Sequence, residues 1–268
     1  MIYADDVKCF LRIKDLADSL NLQLDLNCIY SWSKVNGLNL NIQKCSVMSY
    51  EKLDRIIPLD YYLGNNLLRR VSFISDLGVM FDGRLKFDKH IEIILGKSSK
   101  MFGFLRRNTK EFVNTKTIIS LFKSLVLPNI IYSSPVWSST LLRQWSSLET
   151  IQHKLIRYLS YKIGQPISYF DHNYEPLRLH FKLPTINQLF HYHDYILAYK
   201  LFHGLFLLPD ITSIFIIRPI NYNLRRPRIF QEYTNSTRED QSIALNRLRR
   251  LWNLVDRDTK ELRRGSYK

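Results

Sequence analysis

From residue 88 onward, apolar side chains recur at three- and four-residue intervals in four successive stretches. Ile91, Ile94, Leu95, Met101, Phe102 and Leu105 make the first, weakened by Gly96 and Gly103. Ile118, Leu121, Phe122 and Leu125 make the second, opened by Asn114 as a helix cap and expected to stop at Pro128. Leu148, Ile151, Leu155 and Leu159 make the third; Ile186, Leu189, Phe190, His193 and Leu197 make the fourth, ending at Gly204. One-sided stripes of this period are buried by packing helix on helix, so the chain behind residue 88 is expected to be all-α. Leu245, Leu248, Leu251 and Trp252 suggest one further short amphipathic helix with its arginines on the other face. No period of 20–50 residues recurs, which sets solenoids aside.

The chain in front of residue 88 has a different texture. "VKCFLRI" at residues 7–13 reads as a strand. Asp15 then opens a helical pattern in which Leu22, Leu26, Ile29 and Trp32 share a spacing, and Asn36-Gly37 is a stop signal. A loop leads into a short strand around Cys45–Tyr50. Residues 70–87 suggest two or three short strands, with Asp82-Gly83 as a hairpin turn. The expected class is therefore α+β, short antiparallel strands plus a helix in front and helices behind.

Charge divides the chain further. Residues 1–95 carry 12 basic and 12 acidic residues, whereas residues 96–165 carry 11 and 2. Residues 166–217 carry 3 and 4, and residues 218–268 carry 13 and 6, giving +15 for the whole chain. Charge concentrated in blocks fits polyanion binding better than general solubility. In the first block Lys97, Lys100, Arg106, Arg107 and Lys110 surround one helix and would track phosphates with little base specificity. In the second, Arg225, Arg226 and Arg228 lie between Tyr222 and Phe230, a mixture of cations and aromatic faces common in single-strand binders.

Several classes are excluded or disfavoured. The most apolar late stretch is broken by Pro209 and Asp210, so no membrane span is expected, and the N-terminus has no secretory pattern. Cys9, Cys28 and Cys45 have no CxxC spacing, so neither a disulfide framework nor a zinc site is indicated and an intracellular setting is the default. His191 and His193 lack the i,i+4 spacing of a helical metal pair, and His153 and His203 suggest no partner. The Walker, dinucleotide, nucleophile-elbow and HExxH patterns are absent.

The chain opens "MIYADDVKCF". Neighbouring strand residues point to opposite faces, so Asp5 and Asp6 could share a metal only where the chain turns. Two carboxylates about 4 Å apart repel by roughly 1–4 kcal/mol, a penalty that a hard cation such as Mg²⁺ removes. The string "YADD" resembles motif C of reverse transcriptases, and "WSKVNGLNLNIQKCSVMSY" is similar to the palm helix end and motif D that follow. "ISDLGVMFDGRLKFDKHI" resembles the primer-grip hairpin leading into the thumb. "LVLPNIIYSSPVW", "LETIQHKLIRYL", "LHFKLPTINQLFHYHDYILAYKLFHG" and "NSTREDQSIALNRLRRLWN" are similar to segments that follow the polymerase in jockey-like non-LTR retrotransposons.

The resemblance implies an RNA-directed DNA polymerase that extends a DNA primer on an RNA template, with deoxynucleoside triphosphates as substrates and Mg²⁺ held partly by Asp5 and Asp6. It makes Asp5 the essential metal ligand, Asp6 its support, and Lys44 a lysine near the triphosphate that helps protonate pyrophosphate. It also implies a division into a palm remnant (residues 1–87), a basic thumb-like domain (88–165), a helical post-thumb region (166–217) and a basic C-terminal segment (218–268). The family's fingers and motif A aspartate lie upstream of "YADD", as does the first strand of the hairpin. The expectation is accordingly a truncated copy, inactive alone. The alternative is a non-catalytic nucleic-acid-binding fragment that acts through its basic thumb and tail.

Overall fold

The computed structural model describes residues 2–3, 6–50, 59–138, 142–167, 172–205 and 244–254. The chain separates into two compact units, residues 1–87 and 88–268.

The first unit begins with a minimal antiparallel pair, β1 (Ile2–Tyr3) with β2 (Asp6–Val7), in which Tyr3 faces Asp6. A two-residue strand thus stands ahead of Asp6, where none was expected. The strand expected over 7–13 ends at Val7, and Phe10 and Leu11 are exposed beyond it. With neither residue covered, the apolar alternation that suggested a strand has no sheet to lie on.

Helix α1 spans Leu16–Val35, and its ends are set by local chemistry. The Asp15 side chain accepts the Asp18 N–H at 3.0 Å. At the other end Gly37 turns left-handed (φ +68°), and the Leu38 and Gly37 N–H groups return to the Ser33 and Lys34 carbonyls. This Schellman arrangement satisfies carbonyls that the helix would otherwise leave open. One face of α1, Leu22, Leu26 and Tyr30, covers Tyr61, Leu63 and Leu68. These belong to or adjoin the hairpin of β4 (Tyr62–Leu63) and β5 (Asn66–Leu67). The Gln23 amide grips the Tyr62 backbone twice, at 2.8 and 2.9 Å. Trp32 points away from this core and is exposed.

Strand β3 (Ser46–Val47) pairs in parallel with β6 (Arg69–Arg70). Strands β7 (Phe73–Asp76) and β8 (Val79–Asp82) form the longest ladder among the described residues. Their turn is Leu77-Gly78, both at positive φ (45° and 82°), and not the expected Asp82-Gly83. Asp82 instead accepts the N–H groups of Arg84, Lys86 and Phe87, gathering the chain after the strand. Lys8 forms an ion pair with Asp76.

The second unit is helical. Helix α2 (Asp88–Asn108) buries Ile91, Ile94, Phe102 and Leu105. Asn114 caps α3 (Thr115–Leu121), accepting the Lys116 N–H at 2.9 Å. The expected stop at Pro128 does not occur. Residues Phe122–Val126 widen into a π-helical turn, and α4 (Leu127–Ile131) continues with Pro128 in its first turn. The helix is re-initiated there, which accommodates a ring that normally clashes with the carbonyl four residues back.

After the short α5 (Ser134–Trp137), helix α6 (Leu142–Lys162) supplies Leu148, Ile151, Leu155, Ile156 and Leu159 to the core. Helix α7 covers Glu175–His180, and α8 covers Ile186–Phe202. A Thr185–Gln188 capping box opens α8, and the Glu149 carboxylate accepts the Ile186 N–H at 2.7 Å. Trp137 sits at the centre, edge-on to His90 and Phe190, with its indole N–H donating to the Tyr132 carbonyl at 2.7 Å.

Helix α9 (Ala244–Leu254) lies along α8, burying Leu248 and Trp252 against Ala198, Tyr195 and Tyr199. Its arginines do not all face water as expected. Arg247 and Arg249 are buried, because Arg247 finds Asp194 of α8 and two backbone carbonyls. Among the described residues no helix is long and apolar enough to cross a membrane.

Candidate nucleic-acid interface

Helices α2 and α6 run side by side in the same direction. Ser99 meets Lys154, Thr109 meets Tyr158, and Lys110 meets Lys162, so both sequences ascend together. Parallel packing brings two C-terminal ends together, where helix dipoles concentrate negative potential. Basic side chains answer it. Lys162 donates to the Lys110 carbonyl, and the Tyr158 hydroxyl donates to the Thr109 carbonyl at 2.9 Å. The Tyr158 ring lies between two cations, with Arg106 6.0 Å and Lys162 5.6 Å from its centroid.

The five cations singled out, Lys97, Lys100, Arg106 and Arg107 on α2 and Lys110 just beyond its end, are exposed, but they do not form one array. Lys100 and Arg107 are two helical turns apart on the outward ridge. Arg106 turns towards Tyr158 of α6. Lys97 shares its stripe with the buried His90, whose pKa is pushed down to about 4 by burial and by the Lys97 charge. Lys110 marks the end at which α2 and α6 are tied together.

Helix α6 contributes cations that residue-by-residue reading missed. Lys154 is exposed and reaches Ser99 at 3.5 Å. Arg157 hydrogen-bonds the Tyr174 hydroxyl and lies 5.6 Å from that ring, while His153 stacks on the ring at 4.1 Å. Burial, then the charges of Arg157 and His172, lower the His153 pKa. The signal for this second row was a cation and tyrosines at i, i+4 and i+7, Lys154, Tyr158 and Tyr161, inside the block already known to be basic.

The other expected site residues are placed as follows. Asp6 is exposed on β2, and Lys44 is exposed at the end of a 3₁₀ turn over Ile42–Lys44, its N–H donating to the Asn41 carbonyl. Asp5, Arg225, Arg226 and Arg228 lie outside the described residues. The described hairpin residues supply one carboxylate, Asp6, and the next residue on its side of the strand is Lys8, bonded to Asp76. No group of three His, Cys, Asp or Glu side chains gathers as a metal site among the described residues.

No family model matches this chain, and no solved structure matches it. Over 163 residues, 59% of this chain, it is 24% identical to a protein of Drosophila melanogaster described as "Probable RNA-directed DNA polymerase from transposon X-element". The matched chain spans 18% of that relative's length. This likeness supports a relation to reverse transcriptases at the level of the family.

Proposed function

We propose that this chain is a nucleic-acid-binding part of a non-LTR retrotransposon reverse transcriptase, the α2–α6 surface holding the sugar-phosphate backbone. The observation that carries the reading is the convergence of two basic helix rows, Lys100 and Arg107 from α2 with Lys154 from α6, on one side of a packed pair. Cations presented from rigid helices neutralise phosphates without reading sequence. The likeness to a transposon polymerase supplies the biological class of ligand, RNA or DNA.

The test is fluorescence anisotropy of a labelled RNA–DNA duplex and of its separated strands across a salt series. Phosphate neutralisation makes log K fall with log salt by about 0.7–0.9 per contact. A slope of two or more is expected, and a slope near zero would refute the proposal.

A second reading is templated nucleotide addition with Asp5, Asp6 and Lys44 at the site. It is favoured by the pairing of Tyr3 with Asp6, the first and last residues of "YADD", across β1 and β2. Primer extension in magnesium-containing buffer tests it: incorporation abolished by Asp5→Ala would add catalysis to binding, and no incorporation would leave binding alone.

A further inference from the structure

Between α2 and α6 the surface has a particular relief. Gly96 and Gly103 lie between Ser99, which meets α6, and the outward ridge of α2; a side-chain carbon added at Gly96 would meet nothing within 4 Å, whereas one at Gly103 would lie 3.5 Å from the Arg107 guanidinium, which leans over it. Lys100 and Arg107 stand on that ridge as the α2 rim. On the facing rim of α6, Lys154 reaches Ser99, and Tyr161 follows two turns later, 73% exposed. Tyr158, held between Arg106 and Lys162, closes the end where the helices converge. Three cations at the rims, and the outward Tyr161 ring one helical turn beyond the Tyr158 end, therefore lie on the same side of the helix pair. The α2 rim from Lys100 to Arg107 runs about 10 Å, at 1.5 Å per residue.

We propose that this furrow binds single-stranded nucleic acid in preference to duplex, with phosphates on Lys100, Arg107 and Lys154 and a base stacked on Tyr161. The inference rests on the nucleic-acid-binding reading above and deepens it by naming the form of the ligand. A duplex hides its base faces, so an exposed tyrosine gains nothing from it. A single strand offers a stacking face at every nucleotide, and cations interleaved with aromatics suit that chemistry. The same geometry divides the cations: Arg106 and Lys162 hold the two helix ends, and Lys97 lies on the opposite flank of α2, so these three contribute less to binding.

The experiment uses the full chain with three fluorescein-labelled probes of matched mixed sequence: a single-stranded RNA, a single-stranded DNA and the duplex of the two. Expected is tighter binding of both single strands than of the duplex. Tyr161→Leu should weaken single-strand binding about tenfold and leave duplex binding unchanged. Lys100→Gln, Arg107→Gln and Lys154→Gln should each lower the single-strand salt slope by about 0.7, whereas Lys97→Gln leaves it unchanged. Thermal melts confirm that each exposed-site variant is folded. Equal or tighter duplex binding, an unaffected Tyr161→Leu, or a slope that responds to Lys97 and not Lys154 would overturn the furrow while leaving salt-dependent binding in place. Absence of salt-dependent binding to any probe would overturn the nucleic-acid reading itself.

Discussion

Arg247 is held by one carboxylate and two backbone carbonyls, and replacing it with methionine tests how α9 is held. Its guanidinium donates to Asp194 at 3.0 and 3.4 Å, to the Pro135 carbonyl at 2.7 Å and to the Ser138 carbonyl. Asp194 is 2% exposed, so its carboxylate has no water to fall back on. Burial pushes the Asp194 pKa up, and Arg247 opposes that push. Arg247→Met leaves an uncompensated buried charge and two carbonyls that lose their donor, a loss of about 3–5 kcal/mol. For a unit of this size that corresponds to a fall in Tm of roughly 6–20 °C.

Urea denaturation followed by far-UV circular dichroism measures the difference. The Asp194→Leu/Arg247→Met double variant should recover most of the loss, because two apolar groups make no demand for a partner. The pH dependence has a definite sign. Without Arg247, the folded-state pKa of Asp194 rises further above its unfolded value. The native state then binds the proton more tightly, and stability is lost as pH rises through the folded pKa. The deficit of the variant relative to wild type should therefore be largest at neutral pH and shrink in acid. A deficit below about 1 kcal/mol, the scale of an exposed pair, or a double variant no better than the single one, would refute the buried-pair account.

Other groups respond in separable ways. His90 is depressed to about 4 by burial and Lys97, below its unfolded 6.5. Its unfolded state binds more protons between those values, so stability present above 6.5 is lost as pH falls towards 4, by roughly 3 kcal/mol. His90→Phe, which keeps the edge-on contact with Trp137, should flatten that acid limb of the denaturation curve. In the first unit, Gly64 has φ +62°, and an added side-chain carbon would lie 2.6 Å from the Tyr30 ring. Gly64→Ala should cost about 1–3 kcal/mol, whereas Gly37→Ala, at φ +68° with open space around it, should cost only the backbone strain of about 1 kcal/mol. Equal losses at the two glycines would remove the Tyr30 contact from the explanation.

What could be read from the sequence follows the range of the interactions involved. The limits of α1 were legible because Asp15 and Asn36-Gly37 act within one helical turn of the ends they set. The stripes of α2, α6 and α8 were legible because burial follows the 3.6-residue period. The β7–β8 turn was not, because Leu77 adopts a left-handed conformation that nothing in its side chain favours, and the apparent turn signal at Asp82 serves the next segment. Pro128 misled because the widened turn before it is a feature of the assembled helix bundle. Arg247 misled for the same reason on a larger scale: Asp194 lies 53 positions away and the two carbonyls more than 100. A short helix rich in arginine reads as solvated until that partner is in view.

The candidate interface shows the same limit in a form that bears on function. A net charge of +9 over residues 96–165 reports that the region attracts polyanions, since the field at a distance depends on the sum. Contact depends on where each charge is already employed. Lys162 is engaged by the Lys110 carbonyl, Arg106 by the face of Tyr158, and Arg157 by Tyr174. These groups would have to leave partners to meet a phosphate, and the parallel helix ends beneath them favour their staying. Lys100 and Arg107 are exposed, and Lys154 gives up only its long 3.5 Å contact with Ser99 to meet a strand. The block as a whole therefore governs encounter, and a minority of its cations governs the bound complex. Neutralising Arg106 should accordingly act first on folding, and neutralising Lys154 on the salt dependence of binding.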